Sequence, residues 1–112
     1  MYEIDDELVT NAIELIRVNL HKSFTINQMA DQLHVSYRTL IRRFQAALAV
    51  NIKTYIQNQR VESAKKLIEL TQLTVDEIVY KVGYNDVSAF RKLFKKTTNM
   101  TPQTYKQKFG VL

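Results

Sequence analysis

One arrangement of residues occurs twice in this chain of 112 residues, and that repetition limits its fold more than any other feature. The first copy runs Thr25, Ile26, Met29, Ala30 and Leu33, then a turn, then Leu40, Arg42, Phe44 and Tyr55. The second runs Thr74, Val75, Ile78, Val79 and Val82, then a turn, then Phe90, Lys92, Phe94 and Tyr105. The offset is 49 residues before the turn and 50 after it, so the second turn carries one extra residue. Apolar residues at three- and four-residue spacing mark helices with one buried stripe. Each copy therefore predicts a short capped helix, a tight turn and a second helix, which is a helix-turn-helix unit.

The rest of the chain also reads as helix, because only two glycines and one proline interrupt it. A first helix is expected from about Asp6 to Leu20, with Leu8, Ala12, Leu15, Ile16 and Leu20 on its inner stripe. Thr25 with Gln28, and Thr74 with Glu77, are capping boxes at matching places. Ser36 caps a helix reaching about Leu48, in which Tyr37, Leu40, Phe44 and Leu48 form the expected core stripe. His34 and Gly83 share one turn position, and glycine readily takes the positive φ such a turn demands. Tyr84, Asn85 and Asp86 lead into a helix over about Val87–Thr98. Thr101 followed by Pro102 starts a last helix ending near Phe109. The longest helix, about Ile52 to Thr71, joins the copies and offers Ile52, Tyr55, Ile56, Ala64, Leu67 and Ile68 for packing. The fold class is all-α with seven helices. One domain over 1–112 is expected, divided into a first unit at 6–50, a linker helix at 51–72 and a second unit at 73–112.

Charge points to a partner. Lys and Arg total 16 against 11 Asp and Glu. The excess is uneven: residues 1–56 hold six of each sign, and residues 57–112 hold ten basic and five acidic. Such a surplus favours a polyanion. A chain without cysteine has neither a disulfide framework nor a thiolate zinc site. No apolar run approaches the roughly 20 residues that span a bilayer, and no leader precedes Asp5, so a soluble, cytoplasmic chain with no membrane partner is expected. With two histidines, His21 and His34, and no spaced carboxylate cluster, neither a catalytic group nor a metal or other cofactor is indicated. His34 reads as a turn residue.

One helix of a helix-turn-helix can enter the DNA major groove, so double-stranded DNA is the partner these features favour. Outside the first core stripe lie Arg38, Thr39, Arg42 and Gln45, with Ile41 at its border. Arg38, Arg42 and Gln45 share one face. Arginine can take guanine O6 and N7 together, glutamine can pair with adenine, and Ile41 can lie on a thymine methyl. In the second copy Phe90 and Phe94 point inward, leaving Ser88, Arg91, Lys92 and Lys95 outward, with Val87 and Ala89 beside them. The alternative for either helix is an ordinary solvated charged face; recurrence at matching positions after matching turns favours base reading. Helix starts at Thr25, Thr74 and Thr101 attract anions, and Lys53, Lys96 and Lys106 lie near helix ends, where with Lys95 they can hold phosphates. Helix capping is itself a sufficient role for the threonines. Twenty residues of linker helix span roughly 30 Å, near the roughly 34 Å of a DNA turn; a central core helix of the same length is the alternative. Arg60 reads as a packing residue paired with a carboxylate, with a DNA contact as the alternative.

These residues resemble the DNA-binding domain of AraC/XylS-type transcription regulators over about Ile13 to Phe109. In the first unit the resemblance rests on Ile26, Met29-Ala30, Ser36, Arg38, Leu40-Ile41-Arg42-Arg43-Phe44 and Tyr55-Ile56, followed by Arg60, Ala64 and Leu67-Ile68. In the second it rests on Val75, Glu77-Ile78, Val82-Gly83-Tyr84, Phe90-Arg91-Lys92-Leu93-Phe94-Lys95-Lys96, Thr101-Pro102 and Tyr105. It implies seven helices forming two homeodomain-like helix-turn-helix units on a long linker helix. It assigns base reading to Arg38, Ile41, Arg42 and Gln45, and to Val87, Ser88, Ala89, Arg91 and Lys92. It also implies a fused sensor or dimerisation domain in the parent protein and makes RNA polymerase a candidate partner. Met1–Asp5 reads as a cut boundary, and the second unit looks closest to a subgroup with an amidotransferase-like domain in front.

The chain departs from that pattern at a few positions. Ala49 stands where the family usually has glycine, Ile52 where it often has proline, and Asn99 at the usual second glycine. Asparagine tolerates the left-handed conformation and alanine does so poorly, so the exit from the first recognition helix is expected to differ locally. Lys92 replaces a frequent arginine, so bidentate guanine reading is less expected there than at Arg42. Besides DNA binding, a protein-docking role for degenerate helix-turn-helix units is the rival reading, which Ile41 would suit.

Overall fold

The computed structural model describes residues 4–111, so the boundary read at Met1–Asp5 lies mostly outside the described residues. Described residues form seven helices and no strand: α1 Glu7–Asn19, α2 Ile26–Gln32, α3 Tyr37–Leu48, α4 Ile52–Leu70, α5 Val75–Lys81, α6 Val87–Thr98 and α7 Pro102–Phe109. They divide between two compact units. Unit 1 comprises residues 1–19 and 24–56, and unit 2 comprises 20–23 and 57–112.

Unit 1 contains α1, α2, α3 and the first turn of α4. Its core is Val9, Ala12 and Ile16 of α1, Met29 and Ala30 of α2, Leu40 and Phe44 of α3, and Ile52 and Ile56 of α4. Three- and four-residue spacing brings the α1, α3 and α4 sets each onto one helix face. The expected α1 stripe is partly wrong: Val9 is fully buried, and Leu8, Leu15 and Leu20 are half-buried. Asp6 stands before the helix as its cap, its Oδ1 accepting from Leu8 N at 3.0 Å and Val9 N at 3.3 Å. The same carboxylate takes two bonds from Arg43 of α3, at 2.9 Å to Nε and 2.6 Å to Nη2. One side chain thus caps α1 and ties α3 to its start. The Phe44 and Tyr55 rings meet edge to face with centroids 5.3 Å apart.

Unit 2 repeats the plan with the remainder of α4 in the place of α1. Its core is Val61, Ala64 and Ile68 of α4, Val75, Ile78, Val79 and Val82 of α5, Phe90 and Phe94 of α6, and Tyr105 of α7. Val-x-x-Ala-x-x-Leu-Ile begins at Val9 and again at Val61, and in both its valine, alanine and isoleucine are buried. The duplication therefore reaches a helix earlier than the two-helix pattern, and Val61 joins the α4 residues expected to pack. Phe94 and Tyr105 meet edge to face at 5.5 Å, as Phe44 and Tyr55 do in unit 1. Tyr105 Oη donates to Glu69 at 2.6 Å, and burial with the neighbouring Glu69 carboxylate pushes the phenol up to about 12.

The turns inside the two helix-turn-helix segments share one hydrogen-bond scheme. In unit 1 Val35 N donates to Ala30 O at 3.1 Å and His34 N to Asp31 O at 3.2 Å. In unit 2 Tyr84 N donates to Val79 O and Gly83 N to Tyr80 O, both at 3.2 Å. These bonds close the helix ends and require a left-handed residue. His34 supplies it with φ 58° and Gly83 with φ 95°. A β-carbon on Gly83 would lie 2.6 Å from Leu20 O and 3.1 Å from the Arg60 guanidinium, so glycine is needed there for space as well as for φ. Arg60 fills a packing role: Nε donates to Leu20 O at 3.1 Å, Nη2 to Lys22 O at 2.7 Å, and the guanidinium lies 5.4 Å from the Tyr84 ring centre. Carbonyl oxygens and a ring thus stand among its partners, where the sequence suggested a carboxylate.

The exit from α3 corrects another expectation. Ala49 adopts φ 55° and ψ 27°, and Asn99 after α6 adopts φ 64° and ψ 13°. Each donates its N–H to the carbonyl four residues earlier, Gln45 or Lys95, at 2.8 Å. The two exits have the same geometry despite alanine, because the closing hydrogen bond and the buried Ile52 that follows hold the turn.

Candidate nucleic-acid interface

Recognition helix α3 begins at Ser36, whose Oγ accepts from Thr39 N at 3.1 Å, and its inner stripe is Leu40 and Phe44, with Leu48 half-buried. Tyr37 was expected in that stripe but is 48% exposed. It occupies the first turn, where the chain has not yet come over the core, and it stands 50 residues before Val87, a residue assigned to base reading. That correspondence was visible in the sequence; the helical periodicity through Leu40 and Phe44 concealed it. Arg38, Arg42 and Gln45 are exposed on this helix, and Ile41 is half-buried at the edge of the stripe. Tyr37 and Ile41, four residues apart, form an apolar strip next to the Arg38–Arg42 strip.

Helix α6 is built alike. Asp86 Oδ1 accepts from Ala89 N at 3.0 Å, Phe90 and Phe94 are buried, and Ser88, Ala89, Arg91, Lys92 and Lys95 are exposed. Val87 is half-buried and packs on the unit 2 core, so its face is shared between core and surface. Among the described residues Arg38, Arg42, Lys92 and Lys95 have no carboxylate at ion-pairing distance, whereas Arg91 Nη2 lies 3.5 Å from Asp76 Oδ1. Uncompensated cations on a helix surface raise the local positive potential and attract anions.

The residues expected to hold phosphates fall in different situations. Thr25 and Thr74 are exposed caps, each closing its capping box with bonds of 2.9–3.2 Å. Thr101 caps α7 through Thr104 N at 3.1 Å and is half-buried. Accepting from the Thr74 backbone and side chain holds the Glu77 carboxyl below its ordinary value. Lys53 is exposed in the first turn of α4, and Lys95 and Lys96 are exposed in the last turn of α6. Lys106 donates from Nζ to Leu73 O at 3.2 Å, so it braces the segment that leads into α5. Among the described residues no group of three or more His, Asp or Glu is arranged to hold a metal ion. No described helix is long and apolar enough to cross a membrane.

Two compact units, each containing a helix-turn-helix whose second helix has an exposed basic face, define the class: a tandem helix-turn-helix domain. A family model described as a helix-turn-helix domain matches residues 29–108, and the chain belongs to this AraC/XylS-type family. It is 35% identical over 108 residues to an uncharacterised HTH-type transcriptional regulator from the cgkA 5' region of Pseudoalteromonas carrageenovora, covering 96% of this chain and 64% of that protein. The chain spans less than two thirds of the length of the curated relatives it matches first. Among solved structures it is similar to the C-terminal domain of AraT, a response regulator from Geobacillus stearothermophilus, with TM-score 0.92, 27% identity and coverage of 96% of this chain and 89% of that one. It shares its fold with the DNA-binding domain of AdpA, solved in complex with a target DNA, at TM-score 0.87, 24% identity and coverage of 93% and 94%.

Proposed function

We propose that this chain is the sequence-specific, double-stranded DNA-binding part of a transcription regulator, with α3 and α6 entering adjacent major-groove segments. One observation carries the reading: in both units the helix after a matched left-handed turn buries its phenylalanines and leaves basic side chains outward. Arg38, Ile41, Arg42 and Gln45 of α3, and Val87, Ser88, Ala89, Arg91 and Lys92 of α6, are the base-reading candidates. Tyr37 joins them, its exposed ring suited to a thymine methyl or the sugar edge and its hydroxyl to a phosphate. Thr25, Lys53, Thr74, Lys95, Lys96 and Thr101 are suited to the backbone; Lys106, already held by Leu73 O, contributes charge from a fixed place. The role is not enzymatic, and its setting is the cytoplasm. Membership of the family, and relatives longer than this chain, support a parent protein with a further sensor or dimerisation domain and a contact with RNA polymerase.

Selection of bound duplexes from a randomised library tests this reading. Two short enriched boxes about one helical turn apart are expected, with affinity falling by about 0.9 log units per log unit of salt for each phosphate contacted. A folded chain that enriches no sequence, and whose binding ignores salt, refutes it.

A further inference from the structure

Among the described residues Arg91 is the one base-reading candidate with a carboxylate at ion-pairing distance. It lies on the outer face of α6, and its Nη2 sits 3.5 Å from Oδ1 of Asp76 in the first turn of α5, with both side chains open to solvent at 48% and 65%. We propose that Asp76 is a specificity-determining residue of unit 2, a restraint that releases Arg91 to a guanine edge but not to a phosphate. This inference rests on the DNA-binding reading given above.

The argument compares the partners open to one guanidinium. An exposed ion pair is weak, worth up to about a five-fold change in an equilibrium. A solvent-exposed phosphate offers Arg91 an interaction of the same kind, so exchanging Asp76 for a phosphate brings little gain. Guanine offers O6 and N7 in one plane inside a groove, and such a bidentate pair discriminates by about five-fold to more than a hundred-fold. Only the base edge exceeds what the carboxylate provides. A carboxylate next to the phosphates also repels them wherever Arg91 has not found its base.

The contact belongs to one unit alone. Counting back 49 residues from Asp76 and 50 from Arg91 gives Asn27 and Ile41 in unit 1, which have no charges to pair. On α6 itself, Lys92 and Lys95 have no such carboxylate, which leaves them open to phosphates while Arg91 is kept for a base.

The test is a cycle of variants on the full 112-residue chain: Asp76→Asn, Arg91→Ala and the double variant, each checked by circular dichroism for intact helix. Each is selected against a randomised duplex library and titrated with its enriched site and with a scrambled duplex. Asp76→Asn is expected to bind the scrambled duplex about two- to five-fold more tightly and to flatten preference at the base pair whose preference Arg91→Ala removes. With Arg91 already replaced, Asp76→Asn should leave the base preference unchanged and tighten the scrambled duplex by clearly less. If Asp76→Asn tightens binding equally in both backgrounds and base preference does not move, Asp76 is only a stray negative charge and the proposal falls. Sharper preference or weaker binding to the enriched site would overturn it as well. A wild-type chain that enriches no site overturns the DNA-binding reading together with this one, whereas an enriched wild-type site with an inert Asp76 overturns this one alone.

Discussion

Replacing Gly83 by alanine tests whether the turn between α5 and α6 is held by space as well as by φ. At φ 95° an L-residue bears a strain of roughly 1–2 kcal/mol. The new methyl would also lie 2.6 Å from Leu20 O, the atom that accepts from Arg60 Nε at 3.1 Å. Relief requires the carbonyl and the guanidinium to separate, and a hydrogen bond to a charged group is worth roughly 1.5–3 kcal/mol. Arg60 is half-buried, and burial already pushes its guanidinium below its ordinary value, so the loss is not easily made up by water. Together these give a destabilisation of about 3 kcal/mol. With a urea dependence of roughly 1–3 kcal/mol per molar, the midpoint should fall by about 1–3 M at unchanged slope. His34 provides the control, since its φ of 58° is already borne by a residue with a β-carbon and its side chain is exposed. His34→Ala should stay within about 0.5 kcal/mol of the parent. If Gly83→Ala cost less than about 1 kcal/mol, or no more than His34→Ala, the close approach of Leu20 O would not be a constraint and the reasoning would fail.

Other perturbations separate the remaining claims. Arg42→Ala should cost about 1–3 kcal/mol of DNA affinity and relax choice at one base pair; an unchanged preference in library selection would exclude direct reading there. Ala49→Gly should raise stability by about 0.5–1 kcal/mol, because relief of left-handed strain outweighs the added freedom of the unfolded chain; thermal unfolding followed by circular dichroism would show the midpoint rise. The Arg43 guanidinium holds the Asp6 carboxyl below its ordinary 3.8. The stabilisation this provides is complete above that ordinary value and is lost as pH falls through the depressed one. Asp6→Asn should therefore flatten the acid side of a stability–pH curve, and an unaltered curve would show that the pair contributes nothing.

Much of this architecture was legible in the residues, and the parts that were not have identifiable causes. Capping boxes at Thr25 and Thr74, the start at Thr101-Pro102 and the αL position at Gly83 are local chemistry, so sequence alone located them. Helical periodicity placed Phe44, Phe90 and Phe94 inside for the same reason. Periodicity misassigned Tyr37, because it says which face a residue lies on but not where along a helix the neighbouring elements stop. Propensity misjudged Ala49, where closure of the turn outweighs an intrinsic cost of only roughly 1–2 kcal/mol. Asp6 with Arg43, Arg60 with Leu20 O, and Asp76 with Arg91 join residues 37, 40 and 15 positions apart, and no local pattern announces such pairs.

The two units differ in a way that bears on what they read. Inside, they are near copies: Val9, Ala12 and Ile16 answer Val61, Ala64 and Ile68, Phe44 answers Phe94, and Tyr55 answers Tyr105. Outside, almost nothing corresponds: Tyr37, Arg38, Ile41 and Gln45 stand opposite Val87, Ser88, Arg91 and Lys95. Core positions are constrained by close packing, where a change of one methylene is felt, whereas exposed positions are constrained only by what they touch. A surface with no partner would drift without direction, but both outer faces retain basic residues while exchanging their neighbours. Under the proposed function one framework carries two unlike reading heads, an aromatic and arginine-rich one on α3 and, on α6, an arginine beside Asp76 with free lysines. Two such heads do not call for a repeated or palindromic site. The two boxes selected from random duplex should differ in sequence, so that reversing one relative to the other abolishes tight binding.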